Sequence, residues 1–181
     1  MGQPKALLEY QGQTFLERIL STIAQSSIRS PIVVLGHDRD AILARIEIPE
    51  WIYNPNYKEG MTTSFQAAIR MLPDDATAAM LFLVDHPLVT RDTIEQLGSQ
   101  ASAESIVLPV RNGRRGHPAL FGRVPLDEVL GLPPQRGANL IVDARPERVL
   151  EVVVDDPGVL VDVDTPEEFR NLGRPSFKQD V

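Results

Sequence analysis

The chain has no cysteine in 181 residues, so disulfides and thiolate metal sites are excluded. Its three histidines are scattered and fit no zinc-ligand spacing. No apolar run is long enough to span a bilayer, and the N-terminus lacks a signal-peptide pattern. Positive charge is in deficit: 18 Lys+Arg against 25 Asp+Glu give a formal net charge of −7. Nucleic acids and anionic membranes are bound through basic surface, so neither is an expected partner. A small anionic ligand held by a few local cations stays open. No Gly-x-Ser-x-Gly sequence occurs, which leaves acyl hydrolysis without its nucleophile turn. These absences predict a soluble protein of the cytoplasm.

What is present reads as one domain. Hydrophobic residues make up 43% and charged residues 24%, which at this length supports a sizeable core. Thr14 and Glu17 have capping-box spacing ahead of an apolar helix over Phe15–Leu20. Pro31–Gly36 and Trp51–Tyr53 read as short strands, with a helical spacing over His37–Ile46 between them. Thr62 or Thr63 is expected to open a helix that Pro73 stops, and Thr90 to cap one running to about Gln100. Ala79–Val84 is the most apolar stretch and ends in Asp85, as a buried strand would. Ile106–Val110, Pro118–Phe121, Val149–Val154 and Val159–Val163 read as later strands, and Pro166 as the start of a closing helix. The domain is expected over residues 1–172, with a tail from 173 to 181. Alternating strands and helices predict an α/β fold with a mostly parallel sheet, whose ligands bind at the carboxyl ends of the strands.

Several residues at such ends could carry chemistry. Asp85, in Asp85-His86-Pro87, is either a turn residue or a ligand for a hard cation such as Mg²⁺, which takes carboxylate oxygens and substrate phosphates. Asp162 and Asp164 alternate along a predicted strand, so only one of them is expected to face the site; Asp164 could instead cap the helix at Pro166. Arg114-Arg115-Gly116-His117 is a cationic loop that could reach phosphate or be a solvated hairpin tip. Asn54 and the Gly60–Ser64 segment precede a helix N-terminus, where they could cap it or hold a nucleotide through exposed N–H groups.

The order of these segments is more specific than any one of them. Gln3-Pro4-Lys5-Ala6-Leu7-Leu8, Asn54–Tyr57 with Gly60-Met61-x-x-Ser64, Asp85-x-Pro87, Arg115-Gly116-His117-Pro118 and Asp162-x-Asp164-Thr165-Pro166 follow one another along nearly the whole chain. In that order they resemble the molybdenum cofactor cytidylyltransferase (MocA-type) family, within the MobA-like nucleotidyltransferases. The resemblance implies a Rossmann-like three-layer fold. It also implies Mg²⁺-dependent transfer of a nucleoside monophosphate, CMP by the family's name, from NTP to molybdopterin with release of pyrophosphate. By position, Lys5 would contact phosphate, with Asp85 and Asp164 as the acidic metal ligands. Asn54, Gly60 and Ser64 would lie near the nucleotide, Arg115 at phosphate and His117 toward the pterin. His86 stands where many relatives carry Gln. Relatives begin with an apolar strand and a Gly-rich loop ending in Ser-x-Arg-Met-Gly. Met1-Gly2 matches its last two residues, so the first central strand is expected to be missing. Two other readings remain open. One is a non-catalytic factor that binds the molybdenum cofactor for a molybdenum hydroxylase apoenzyme. The other is a glycosyltransferase that uses Asp162-Val163-Asp164 as an Asp-x-Asp motif.

Overall fold

The computed structural model describes residues 2–172. A 3₁₀ turn at Lys5–Leu7 leads into a small hairpin of β1 (Glu9–Tyr10) and β2 (Gln13–Thr14), then α1 (Phe15–Ala24). Strand β3 (Val33–Leu35), α2 (Arg39–Leu43), β4 (Trp51–Tyr53) and α3 (Met61–Ile69) follow. Next come β5 (Ala78–Leu81), α4 (Arg91–Gly98), β6 (Ile106–Arg111), β7 (Arg114–Arg115) and β8 (Ala119–Gly122). The chain continues through α5 (Arg123–Leu130), α6 (Asn139–Ala144) and β9 (Val149–Val153), a 3₁₀ turn at Pro157–Leu160, and α7 (Pro166–Asn171). The expected tail lies outside the described residues.

Strands β3 and β4 pair in parallel. The larger sheet has the order β5-β8-β6-β7, with β9 on β6. Because β8 is antiparallel to both β5 and β6, those two run the same way, and β9 is parallel to β6. The long strands are therefore co-directional except β8, in a mixed α/β sheet with a mostly parallel frame. No ladder joins β3 to β5 among the described residues, so each sheet ends on an unpaired strand there.

Side-chain alternation divides the core in two, because successive strand residues point to opposite faces. Ile106, Leu108, Ala119 and Phe121 pack with Phe65 and Ile69 of α3 and Leu126 and Val129 of α5. The intervening Val107 and Leu120 pack on Leu97 of α4. Ile94 of α4 meets Ile19 and Ile23 of α1. Helices thus cover both faces, which makes the three layers.

Local signals explain many boundaries. Thr14 accepts from the Glu17 N–H while the Glu17 side chain takes the Thr14 N–H, so the capping box forms. Thr90 accepts from Thr93 N–H at the start of α4. Helix α3 instead starts after Gly60, with no side-chain cap. Two strand expectations are corrected. The apolar run 79–84 is a strand only to Leu81, since its partner β8 starts at Ala119, just after Pro118, which has no N–H to give. Val159–Val163 is no strand: Val159 and Leu160 belong to the 3₁₀ turn, and Val163 N–H bonds the Asp85 carbonyl at 3.1 Å.

Candidate active site

The turn after β5 brings Asp85 to the end of the sheet, where two distant segments meet it. Lys5, on the first 3₁₀ turn, donates to Asp85 Oδ2 at 3.0 Å and also to Asp164 Oδ1. Burial works against the charged Lys5, but the hydrogen bonds it donates to Asp164 and Asp85 outweigh it, so its pKa is raised. The same Lys5 contact lowers the Asp164 pKa. Thr165, not Asp164, caps α7 through a capping box with Glu168, which frees the Asp164 carboxylate. Asp162 is there too: it adjoins Asp164, and one of its oxygens lies within 4.8 Å of ligand atoms of Asp85 and His86. The expectation that only one of Asp162 and Asp164 faces the site is thereby corrected. Residues two apart on an extended chain share a face. Burial and then the negative charge of Asp85 and Asp164 push the Asp162 carboxyl up.

Two histidines close the buried side. His86 is only 7% exposed, and its ring hydrogen-bonds the Gly158 backbone. Burial lowers its pKa. The His117 ring lies 4.9 Å from it, centroid to centroid, and His117 is pushed down to about 4 by burial and by His86. At this wall, among the described residues, Asp85 Oδ1, His86 Nδ1 and His117 Nδ1 are buried without a partner. Such atoms are costly unless a ligand or water completes them. The 156–159 segment holds this wall. A Cβ at Gly158 would sit 2.2 Å from the Leu88 carbonyl oxygen, so only glycine allows the approach. Asp156, 4% exposed, accepts from Thr90 N–H, both Thr90 and Thr93 hydroxyls, and Gly158 N–H.

The other expected site residues gather elsewhere. Asn54, 2% exposed, donates to Thr63 Oγ1 at 2.8 Å and Ser64 Oγ at 2.9 Å, and accepts from Asn56 N–H. Asn54 and Ser64 thus satisfy each other where β4 meets α3. Gly60 has φ of 143° and abuts the Pro134 backbone, where a Cβ would come within 2.2 Å of the carbonyl oxygen. A cleft of about 420 Å³ runs past Tyr53, Asn54, Thr63, Gln66 and Arg70. Arg115 is paired with Glu151 at 2.8 Å on the β7 and β9 strands. No hydrogen bond or ion pair joins these residues to the carboxylates among those described for them. Sequence reasoning noted His86 only as a departure and passed over Asp156. Asp156 reads locally as no more than the cap of the short turn at Pro157, because its Thr90 and Thr93 partners lie 66 and 63 positions away.

The cluster can do two things. The carboxylates can hold a divalent cation, and Lys5 can meet phosphate oxygens as a mobile point charge. Comparisons with known proteins agree with that chemistry. The family model of the MobA-like NTP transferase domain matches residues 1–149. The molybdenum cofactor cytidylyltransferase of Escherichia coli K12 is 29% identical, over 93% of this chain and 86% of its own length. A nicotine blue oxidoreductase of Paenarthrobacter nicotinovorans is 28% identical, over 93% of this chain and 87% of its own. Among solved structures, Rv0371c of Mycobacterium tuberculosis H37Rv superposes with a TM-score of 0.86 at 28% identity, covering 95% of this chain and 89% of that one. A manganese complex of the same protein gives 0.82 at 26% identity, over 94% and 92%. Among the described residues no helix is long and apolar enough to cross a membrane.

Proposed function

Since the chain belongs to the MobA-like NTP transferase domain family, and is a nucleotidyltransferase, we propose that it moves CMP from CTP to the phosphate of molybdopterin in the cytoplasm, with Mg²⁺ as the metal. The observation that carries the reading is the Lys5–Asp85–Asp164 bridge, with an unpartnered Asp85 oxygen beside it. Likeness to a cytidylyltransferase along most of both chains supports the choice of nucleotide and acceptor. A neighbour solved with manganese supports a divalent cation.

The reaction is an in-line displacement at phosphorus. A phosphate oxygen of the pterin attacks the α-phosphorus of CTP, the α–β bridging P–O bond breaks, and pyrophosphate leaves with its electron pair. Asp85, with Asp164 as the second ligand, would hold the cation, whose chemistry is to neutralise charge on the transferring phosphate. Lys5 would leave one carboxylate to meet the triphosphate and stabilise the charge that gathers on the leaving group. His117, neutral near pH 7, would lie on the pterin side. Asn54, Gly60 and Ser64 would shape the floor under the nucleotide, and Arg115 would meet phosphate from the β7 edge. Incubation with molybdopterin and either CTP or GTP, with pyrophosphate and dinucleotide product both measured, tests the reading. Release of pyrophosphate from CTP and formation of the cytosine dinucleotide are expected. Product from GTP alone would overturn the nucleotide, and no product from either would overturn the transfer.

A further inference from the structure

The pairing of β3 with β4 uses only one edge of β4. The Glu50 carbonyl accepts from Val33 N–H at 3.2 Å, and Asn54 N–H donates to the Leu35 carbonyl at 2.9 Å. In a parallel ladder alternate residues turn both backbone groups to the same side, so Ile52 also faces β3 while Trp51 and Tyr53 turn theirs outward. No strand pairs with that outer edge among the described residues. The Trp51 and Tyr53 side chains share one face, and they are 38% and 45% exposed. Past Ile52 lies the cleft of about 420 Å³ between β4 and α3. Its two ends carry opposite charge. Glu59 stands beyond the carboxyl end of β4, just before α3 begins. Helix α3 then runs back for 9 residues, about 13 Å, to Arg70 beside the exposed Met71. Neither Glu59 nor Arg70 has an ion pair or a side-chain hydrogen bond among the described residues.

We propose that this edge is a homodimer interface, in which β4 pairs antiparallel with β4 of a second copy about a two-fold axis at Ile52. The register follows from the edge itself. Centred on Ile52, it sets Trp51 opposite Tyr53 of the second copy and Tyr53 opposite its Trp51, each pair exchanging its outward N–H and C=O groups. The axis stands perpendicular to the sheet, so all four aromatic rings gather on one face. Cross-strand aromatic pairs of this kind stabilise a sheet. The reversal of direction also brings Arg70 of each copy to the end where the other carries Glu59. A cleft with a cation at one end and an acid at the other is thereby complementary to its own rotated image, as an isologous contact requires. An unrelated partner would have to match both charges at the same spacing. The interface stands apart from the proposed function, since neither nucleotide nor metal enters it.

The test uses the full chain. Trp51 is its only tryptophan, so its emission reports this edge alone. Sedimentation equilibrium between about 1 µM and 1 mM, the range of weak complexes, is expected to show monomer passing into dimer. Front-face fluorescence over the same series should show Trp51 emission moving to the blue in step with the dimer fraction. Arg70→Glu and Glu59→Arg should each weaken dimerisation about 10-fold or more, because each sets two like-charged pairs across the axis. Glu59→Arg also brings the net charge of −7 two units closer to zero, so a general loss of repulsion would strengthen association instead. An equimolar mixture of the two variants should dimerise about as well as the wild type, since each charge then meets its opposite. Monomer throughout the range, dimer without a Trp51 shift, or a mixture no stronger than the separate variants would overturn the proposal. Circular dichroism checks that both variants fold; where one does not, the wild-type mass and the Trp51 shift decide.

Discussion

Lys5 Nζ lies 3.0 Å from Asp85 Oδ2, joining residues 80 positions apart, and the same ammonium reaches Asp164. In this state a side-chain cation sits on the carboxylates that a divalent ion and a triphosphate would share. Removing either partner should therefore separate metal binding from phosphate handling.

Asp85→Ala is expected to cut pyrophosphate release by about 100-fold or more, the scale of losing one centre of transition-state charge stabilisation. The backbone bond from Val163 N–H to the Asp85 carbonyl does not use the side chain, so far-UV circular dichroism should stay unchanged. Turnover near wild type in a folded variant would remove Asp85 from the mechanism.

Lys5→Ala should act in opposite directions on two readouts. Without the ammonium competing for the carboxylates, divalent-ion affinity should rise roughly 2–5-fold, as expected for a partly exposed pair. Pyrophosphate release should fall at saturating metal. If metal affinity and turnover both fell, Lys5 would be a purely structural residue.

Asp156→Ala should destabilise the fold by about 2–4 kcal/mol, because it strips the acceptor from two backbone N–H groups and two hydroxyls at the start of α4 and at Gly158. Urea unfolding measures this. A change under 0.5 kcal/mol would mean that water replaces the carboxylate without loss.

His117 gives a pH dependence with a definite sign. Its folded pKa of about 4 lies below the ordinary 6.5, so between these values the unfolded chain binds the extra proton and the folded one does not. Stability is fully present above about pH 6.5 and is lost as the pH falls toward 4. The limit is about 3 kcal/mol at 1.36 kcal/mol per pH unit, reduced by screening since the ring is only partly buried. Urea midpoints in metal-free buffer from pH 7.5 to 4.5 should show the decline, and His117→Gln should flatten part of it. An identical slope in the variant would assign the decline to other groups.

The sequence showed the fold where the signal was local. Capping at Thr14 and Thr90 and the helix at Pro166 all depend on neighbours within four residues. It failed where a distant partner decided the outcome. Phe82–Val84 is apolar enough for a strand, but Pro118 ends its ladder. Val159–Val163 alternates like a strand, yet it is drawn into a turn by Asp156 and serves as cover for the histidines. Helices α5 and α6 went unread, α5 because it starts at Gly122 without a side-chain cap and carries Pro125 in its first turn. At the candidate site, the order of segments along the chain singled out Lys5, Asp85 and Asp164, three side chains that meet in the fold. The inward turn of His86 was not legible, because it depends on the Gly158 backbone.

The unjoined edges of β3 and β5 bear on how the molecule breathes. Across a continuous sheet, opening one strand strips bonds from the next, so amide exchange spreads as one cooperative event. Among the described residues no ladder crosses the gap, and side chains pack over it, among them Leu35 and Val33 with Val84, Ala6 and Leu7. Side-chain packing is less directional than a hydrogen-bond ladder, so the β3–β4 pair can loosen without unzipping β5. Hydrogen exchange would then show two tiers of protection, with Val34 and Ile52 amides exchanging well before those of Val107 and Leu120. The Lys5 turn packs on the side that loosens first, whereas Asp85 follows the strand that holds. Deuterium uptake would therefore follow the making and breaking of the bridge between them.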